Sequence, residues 1–291
     1  MRLGKIAGIP LKLNIFFLLL MAAMVLGGFW LETFLIFFVV YLHELTHTIA
    51  ARKIGVEAGE IELLPFGGVA RIDDALELDP QAEKYVALAG PLTNFILAGI
   101  GLAVYANGLY AGEGLIFFVR FNFSLAFFNL LPAFPLDGGR LLRANLAPVI
   151  GFKKATSLAL DISKGVALLL LLAGAIGMAI GFWYPVLLFA GLFLFYSARK
   201  EEQKALYQFL RYLLRKREEI EKGRVLAAAF ITAREDAVLK EILAQFLPRK
   251  FHFILVLNRS LEVTGELTEK EVIEKALREG IYIKVKELLE R

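Results

Sequence analysis

Residues 39–50 read VVYLHELTHTIA. Without His43, Glu44 and His47 this would be an ordinary piece of membrane helix. An ionisable side chain in a lipid-embedded segment costs roughly 2.5–3.5 kcal/mol or more. Three in five residues therefore require something to offset that cost, and a divalent cation would do so. On an α-helix His43 and His47 project from one face, about 6 Å apart along the axis. Two imidazoles so placed can chelate one zinc ion at ~2.0–2.1 Å. Glu44 lies about 100° further round the helix, where it can reach a water beside the metal without becoming a ligand. This is the H-E-x-x-H pattern. A pair of interhelical hydrogen bonds, or a wetted span end, is the alternative reading of the same letters.

The rest of the chain supports a lipid setting. Of its 291 residues, 58% are hydrophobic and the mean hydropathy is +0.62, above the 45–50% apolar content usual in soluble proteins. Apolar runs fall at about 13–29, 31–51, 84–107, 114–131, 161–181 and 183–198. They do not alternate as barrel strands would. The first run has no small-residue cleavage site after it, so a retained span is expected rather than a signal peptide. Arg2, Lys5 and Lys12 precede the first run; Arg52, Lys53, Arg71 and Lys84 separate the second from the third. Arg140, Arg143, Lys153 and Lys154 separate the fourth from the fifth, and Arg199, Lys200 and Lys204 follow the sixth. The other connections carry no Lys or Arg, which places both termini in the cytosol of a multi-pass cell-membrane protein. Arg120, inside the fourth run, goes against the pattern. The absence of cysteine excludes disulfides, thiolate metal sites and cysteine nucleophiles. The net charge of +4 is carried between the spans and gives no nucleic-acid footprint.

The expected fold class is an all-α polytopic membrane domain, six transmembrane helices with a short β-hairpin after helix 2, plus a small α+β domain. The hairpin is ELLPFGGVARI (62–72), where Pro65 and Gly67-Gly68 separate two strand-like pieces. It either dips into the interface or is a plain cytosolic loop. The expected boundaries are 1–198 for the membrane domain, 199–222 for an amphipathic linker helix and 223–291 for the soluble domain. The linker either lies on a surface or is solvated. In the soluble domain, Thr232 and Glu235 match a capping box opening a helix, FHFILVL reads as a strand, NRS as a turn and LEVTGEL as a second strand. A second capped helix follows, with Thr268 and Glu271. About 65 residues make a marginal domain, so self-association is expected. His252, the third histidine, starts a strand and reads as structural.

A catalytic zinc takes three protein ligands and leaves a position open. The third here must be a carboxylate. Glu32 is over ~15 Å along the same helix. Asp137, in NLLPAFPLDGGR (129–140), is the only acidic residue between Glu113 and Asp161. The second and fourth spans both end on the inner side, so Asp137 can meet the histidines; it also reads as a turn residue before Gly138-Gly139. Gly90, Pro91 and Asn94 open the third span, where small residues permit close packing and Asn94 bonds across helices or touches substrate. Asn129 contacts substrate or caps freed carbonyls.

Together HELTH (43–47), LLPFGG (63–68), GPLTN (90–94) and NLLPAFPLDGG (129–139) resemble, in order, the motifs of the site-2 protease family of intramembrane zinc metalloproteases. FHFILVLNRSLEVTGELTEKEVI (251–273) is similar to one cystathionine-β-synthase-type motif, the arrangement of the subgroup of the stage IV sporulation protease FB. The resemblance implies one zinc on His43, His47 and Asp137, with Glu44 as general base and acid. It implies substrate contacts near Asn129 and in the hairpin at Phe66, Gly67 and Gly68. It also implies a membrane-associated protein substrate such as a sigma-factor precursor, an inhibitory membrane protein as partner, and ATP or another adenine nucleotide on paired C-terminal domains. Thr46 stands where the family commonly has glycine. Two competing readings are a metal-ion transporter with a nucleotide-binding tail, which lacks the expected internal repeat, and an inactive scaffold that keeps zinc for structure.

Overall fold

The computed structural model describes residues 2–6, 9–56, 58–64, 67–72, 76, 79–181, 185–221, 227–247 and 250–289; for 2–6, 9, 11, 58, 62–64, 67–72, 205–221 and 277 it describes backbone only. The chain divides into two compact units, 1–141 with 162–198, and 142–161 with 199–291.

The first unit opens with a hairpin the sequence did not announce. Strands β1 (Arg2–Ile6) and β2 (Ile9–Leu13) pair antiparallel. Helix α1 (Ile15–Leu26) follows, with the Asn14 side chain accepting from the Phe16 N–H at its start. Helix α2 (Trp30–Lys53) carries Arg52 and Lys53 in its last turn, where cations suit the negative helix end. The expected hairpin after it is β3 (Ala58–Leu64) and β4 (Gly67–Ile72). It is no isolated ribbon: β2 pairs parallel with β3, giving a four-stranded sheet in the order β1-β2-β3-β4. Lys12 on β2 meets Glu60 on β3 at 2.5 Å. The sheet packs on α2; Leu13, Phe17, Val40, Tyr41 and Ile61 form that core. Phe66 lies outside the described residues.

Helix α3 (Pro80–Ala106) starts with Asp79, whose carboxylate accepts from the Gln81 and Ala82 N–H groups, and with Pro80, which loses no bond in the first turn. It packs between α2 and α4 (Glu113–Asn129). The chain then departs from the expected turn at LDGG. Helix α5 (Asp137–Ile150) begins at Asp137, and Gly138 and Gly139 are helical. A Cβ on Gly138 would come within 2.3 Å of the Leu130 and Leu131 carbonyl oxygens. On Gly139 it would come within 2.6 Å of the Phe134 nitrogen. The glycines thus allow the first turn of α5 to sit backbone to backbone on residues 130–134, and no positive φ is involved.

Helices α6 (Phe152–Ala179) and α7 (Pro185–Glu221) complete the helical set. Ala133 and Leu136 pack with Ala167 and Leu194 from these helices, and the Phe134 N–H donates to Ser163 Oγ at 2.8 Å. The sixth apolar run and the linker helix form one continuous α7. Among the described residues three helices are long and apolar enough to cross a bilayer, α2, α3 and α6. Of the other three expected spans, α1, with 12 residues, is ~18 Å long and α4, with 17, ~26 Å, against a ~30 Å hydrocarbon core, and the sixth apolar run forms the first part of the 37-residue α7.

In the second unit β5 (Ala227–Arg234) runs parallel to β6 (Lys250–Leu257), which pairs antiparallel with β7 (Val263–Thr268). Thr232 is therefore a strand residue and caps no helix; the helix expected from it is the short α8 (Leu239–Leu243), preceded by Val238. Pairing with β6 along the whole of β5 wins over the local helix signal. The second cap is present. Helix α9 (Glu269–Glu279) has a complete capping box of Thr268 and Glu271. A short α10 (Lys286–Leu289) follows.

Candidate metal centre

Helix α2 presents His43, Glu44 and His47 to the inside of the first unit, at 3%, 8% and 6% exposure. The first turn of α5 brings Asp137 to them, 8% exposed. Its Oδ2 lies 3.2 Å from His43 Nε2 and 3.1 Å from His47 Nε2, and the two Nε2 atoms are 3.1 Å apart. Three ligand-capable atoms thus converge from positions 43, 47 and 137.

The protons can be located from the surroundings. His47 Nδ1 is 2.8 Å from the Val86 backbone oxygen, which only accepts, so Nδ1 carries the proton. His43 Nδ1 is 2.5 Å from Asn94 Oδ1. A neutral imidazole has one N–H, so both Nε2 atoms are left with bare lone pairs. In that neutral form, the one a metal ion requires, they face each other and a carboxylate oxygen. Buried donor atoms this close need positive charge among them, either a metal ion or the proton of an imidazolium facing Asp137.

Helix α3 shapes the other side. A Cβ on Gly90 would lie 2.3 Å from His47 Nε2 and 2.7 Å from His43 Nε2. Glycine here keeps space clear at the lone pairs themselves, beyond the helix packing expected of it. One turn on, Asn94 is fully buried. Its Oδ1 faces His43 and its Nδ2 donates to Asn122 Oδ1 at 2.9 Å. Both ends of its amide are bonded inside the protein, one to a histidine of the triangle and one to α4. Asn122, on α4, is a residue the sequence reading passed over. An amide in the middle of an apolar helix was the available signal. Asn129, at the end of α4, donates from Nδ2 to the Leu125 carbonyl at 3.1 Å, the capping alternative. Gly67 and Gly68 begin β4. Thr46 returns its hydroxyl to the Leu42 carbonyl and meets Thr93 of α3 at 3.1 Å, so the extra side chain is absorbed between helices.

Comparison with known proteins bears on this stretch. The profile of Peptidase family M50 matches residues 32–112 and 106–172. A zinc metalloprotease of Methanocaldococcus jannaschii is 38% identical over 213 residues, 69% of this chain, and the chain spans 60% of that relative's length. The stage IV sporulation protein FB of Bacillus subtilis is 28% identical over 280 residues, 93% of each chain. A solved structure, the site-2 protease from Methanocaldococcus jannaschii, superposes with a TM-score of 0.55 at 35% identity, covering 69% of this chain and 94% of that one. With nearly the whole of that structure matched at this identity, and the family profile lying over both imidazoles and the carboxylate, the chain belongs to the site-2 proteases, peptidase family M50.

Proposed function

We propose that the protein is an intramembrane zinc metalloprotease that hydrolyses a peptide bond in or near a membrane-associated segment of a substrate protein. The observation that carries this reading is the triangle of lone pairs. Two imidazoles and one carboxylate are a donor set used by catalytic zinc, three protein ligands with a fourth position open. Bonds of ~2.0–2.1 Å at tetrahedral angles put donor atoms about 3.3 Å apart, close to the 3.1–3.2 Å found. His43, His47 and Asp137 would hold the ion. When bound, zinc supplies Lewis acidity, polarising a carbonyl and making water nucleophilic near neutral pH.

Glu44 is buried on the same helix, within electrostatic reach of His47, yet its carboxylate is not one of the three converging atoms. It takes the proton of the attacking water and returns it to the leaving nitrogen. A peptide already in a helix must unwind before its carbonyl is attacked. The outer strand β4 offers backbone for an extended substrate segment to pair with, and Asn129 stands where the chain leaves α4 for Asp137. The motif resemblance to the sporulation subgroup, with similarity to its stage IV protein FB over 93% of each chain, is the ground for proposing a sigma-factor precursor as substrate class. The motif at 251–273 supports regulation through an adenine nucleotide on the C-terminal unit.

The test is cleavage of a single-span substrate by the purified full chain. Glu44→Gln retains about one zinc and loses cleavage; His43→Ala loses both. Cleavage by Glu44→Gln at the wild-type rate would remove Glu44 from this role. In sealed vesicles the protein moves no zinc, whereas a transporter would.

A further inference from the structure

We propose that Asn122 is a positioning residue for the metal centre, acting through Asn94 to hold His43 in the tautomer that presents Nε2 to the ion. This rests on the metal-centre reading above and extends it to a residue on a third helix. The polarity of the chain of bonds is set at its far end. Asn122 Nδ2 donates to the Phe118 backbone oxygen at 2.9 Å, and that oxygen can only accept. Asn122 Oδ1 is therefore the end left to accept from Asn94 Nδ2, at 2.9 Å. Asn94 Oδ1 is then the end that faces His43, and it takes the Nδ1 proton at 2.5 Å. One backbone carbonyl of α4 thus dictates, through two amides, which nitrogen of an imidazole on α2 is bare.

Burial makes the relay decisive. Asn94 and Asn122 are both fully buried, so an amide turned the wrong way would find no water to satisfy it. If the Asn94 amide flipped, its NH₂ would face His43 Nδ1. The ring would then place its proton on Nε2, where the ion must bind. The two histidines are also held differently. His47 is fixed by a backbone oxygen, which cannot flip, whereas His43 depends on side chains throughout. Asn122 is thus a control point for one ligand and not the other.

The experiment is zinc affinity of the detergent-solubilised full chain, measured by competition with a chromophoric chelator. A second readout is the ring ¹⁵N spectrum of the metal-free protein, which has three histidines to resolve. Partners that orient a metal-binding histidine are worth about 10–100-fold in affinity. Asn122→Leu should weaken zinc binding at least about tenfold and give His43 a mixed tautomer signal. Asn122→Asp keeps an oxygen to accept from Asn94 and, as the neutral acid, a donor for the Phe118 carbonyl, and should stay within about threefold of wild type. In an Asn94→Leu background, adding Asn122→Leu should change affinity less than about twofold, because the link is already cut. If Asn122→Leu does not fold, Asn122→Thr, too short to reach Asn94, carries the same expectation. Near wild-type affinity with a pure Nδ1–H signal in these variants overturns the relay, as does equal damage from Leu and Asp. A wild-type chain that takes up no zinc would overturn the metal-centre reading itself, a different result from a wild type that binds zinc and is indifferent to residue 122.

Discussion

Each unit of the chain buries a histidine group beside a carboxylate, and the two are wired in opposite ways. In the second unit His252 is 1% exposed, stacked on Phe246 with ring centroids 4.8 Å apart. Its Nδ1–H donates to Glu269 at 3.0 Å, and its Nε2 accepts from the Leu247 N–H at 3.2 Å. The ring has a donor on one side, an acceptor on the other, and nothing left over. In the first unit His43 and His47 use Nδ1 in the same way, but among the described residues the polar partners of their Nε2 atoms are each other and Asp137. Distance and burial hardly distinguish the two groups. What does is whether each lone pair has a hydrogen pointing at it. A buried histidine–carboxylate pair is structural when its hydrogen bonds close, and a cation site when they leave facing acceptors.

The largest effect should come from removing each carboxylate in turn. Asp137→Ala should abolish stoichiometric zinc and cleavage. Glu269→Ala should leave zinc content per folded molecule unchanged. It strips the partner from two buried donors, the His252 N–H and Nδ1–H, at about 1–3 kcal/mol for each group left unsatisfied. Metal analysis alongside hydrogen exchange of the β6 amides separates the two; zinc loss from Glu269→Ala would break the comparison.

Next in size is Gly90→Ala. The new methyl would fall 2.3 Å from His47 Nε2, so either the imidazoles move or α3 does. Zinc affinity should fall about 100-fold or more, since ligand geometry sets the metal site. Gly99 on the same helix is the control, for a Cβ there meets nothing within 4 Å. Gly99→Ala should not change affinity. Equal effects from both would mean that Gly90 matters only as a helix glycine.

Much of this contrast was legible in the letters, for reasons that differ by residue. His43 and His47 were legible because four-residue spacing fixes a shared helix face and lipid penalises charge. Asp137 followed from the scarcity of other carboxylates, although its local structure did not: a Gly-Gly pair reads as a turn, and here the glycines serve a close backbone contact. The pairing of β2 with β3 was hidden because the two strands lie about fifty residues apart, and no local pattern announces it. Thr232 matched a cap motif that short-range chemistry favours and a parallel strand overrode. Asn122 was missed although the rule applied to Asn94, an amide in an apolar helix needs a partner, holds for it equally. The wiring of protons, which separates the two histidine groups, is not written in spacing at all, because it depends on which carbonyls the folded chain brings to each ring.

The smallest expected effect tests how far the closed group in the second unit depends on its own helix end. Glu269, the partner of His252, is the first residue of α9, and Thr268 just before it is the cap. The Thr268 hydroxyl lies 2.8 Å from Glu271 Oε2 and 3.4 Å from the Glu271 N–H, while the Thr268 N–H donates to Glu271 at 2.8 Å. Thr268→Ala removes the two hydroxyl contacts and keeps the backbone one, so it should cost about 1 kcal/mol, within the usual range for a lost cap. Thr268→Ser should restore most of that. If the cap also holds Glu269 in place, exchange at the His252 amide should speed up together with that of the first turn of α9. If the His252 amide is unaffected, the pair is held by the sheet alone, since β6 and β7 already fix both backbones through the Phe253–Thr268 pairing.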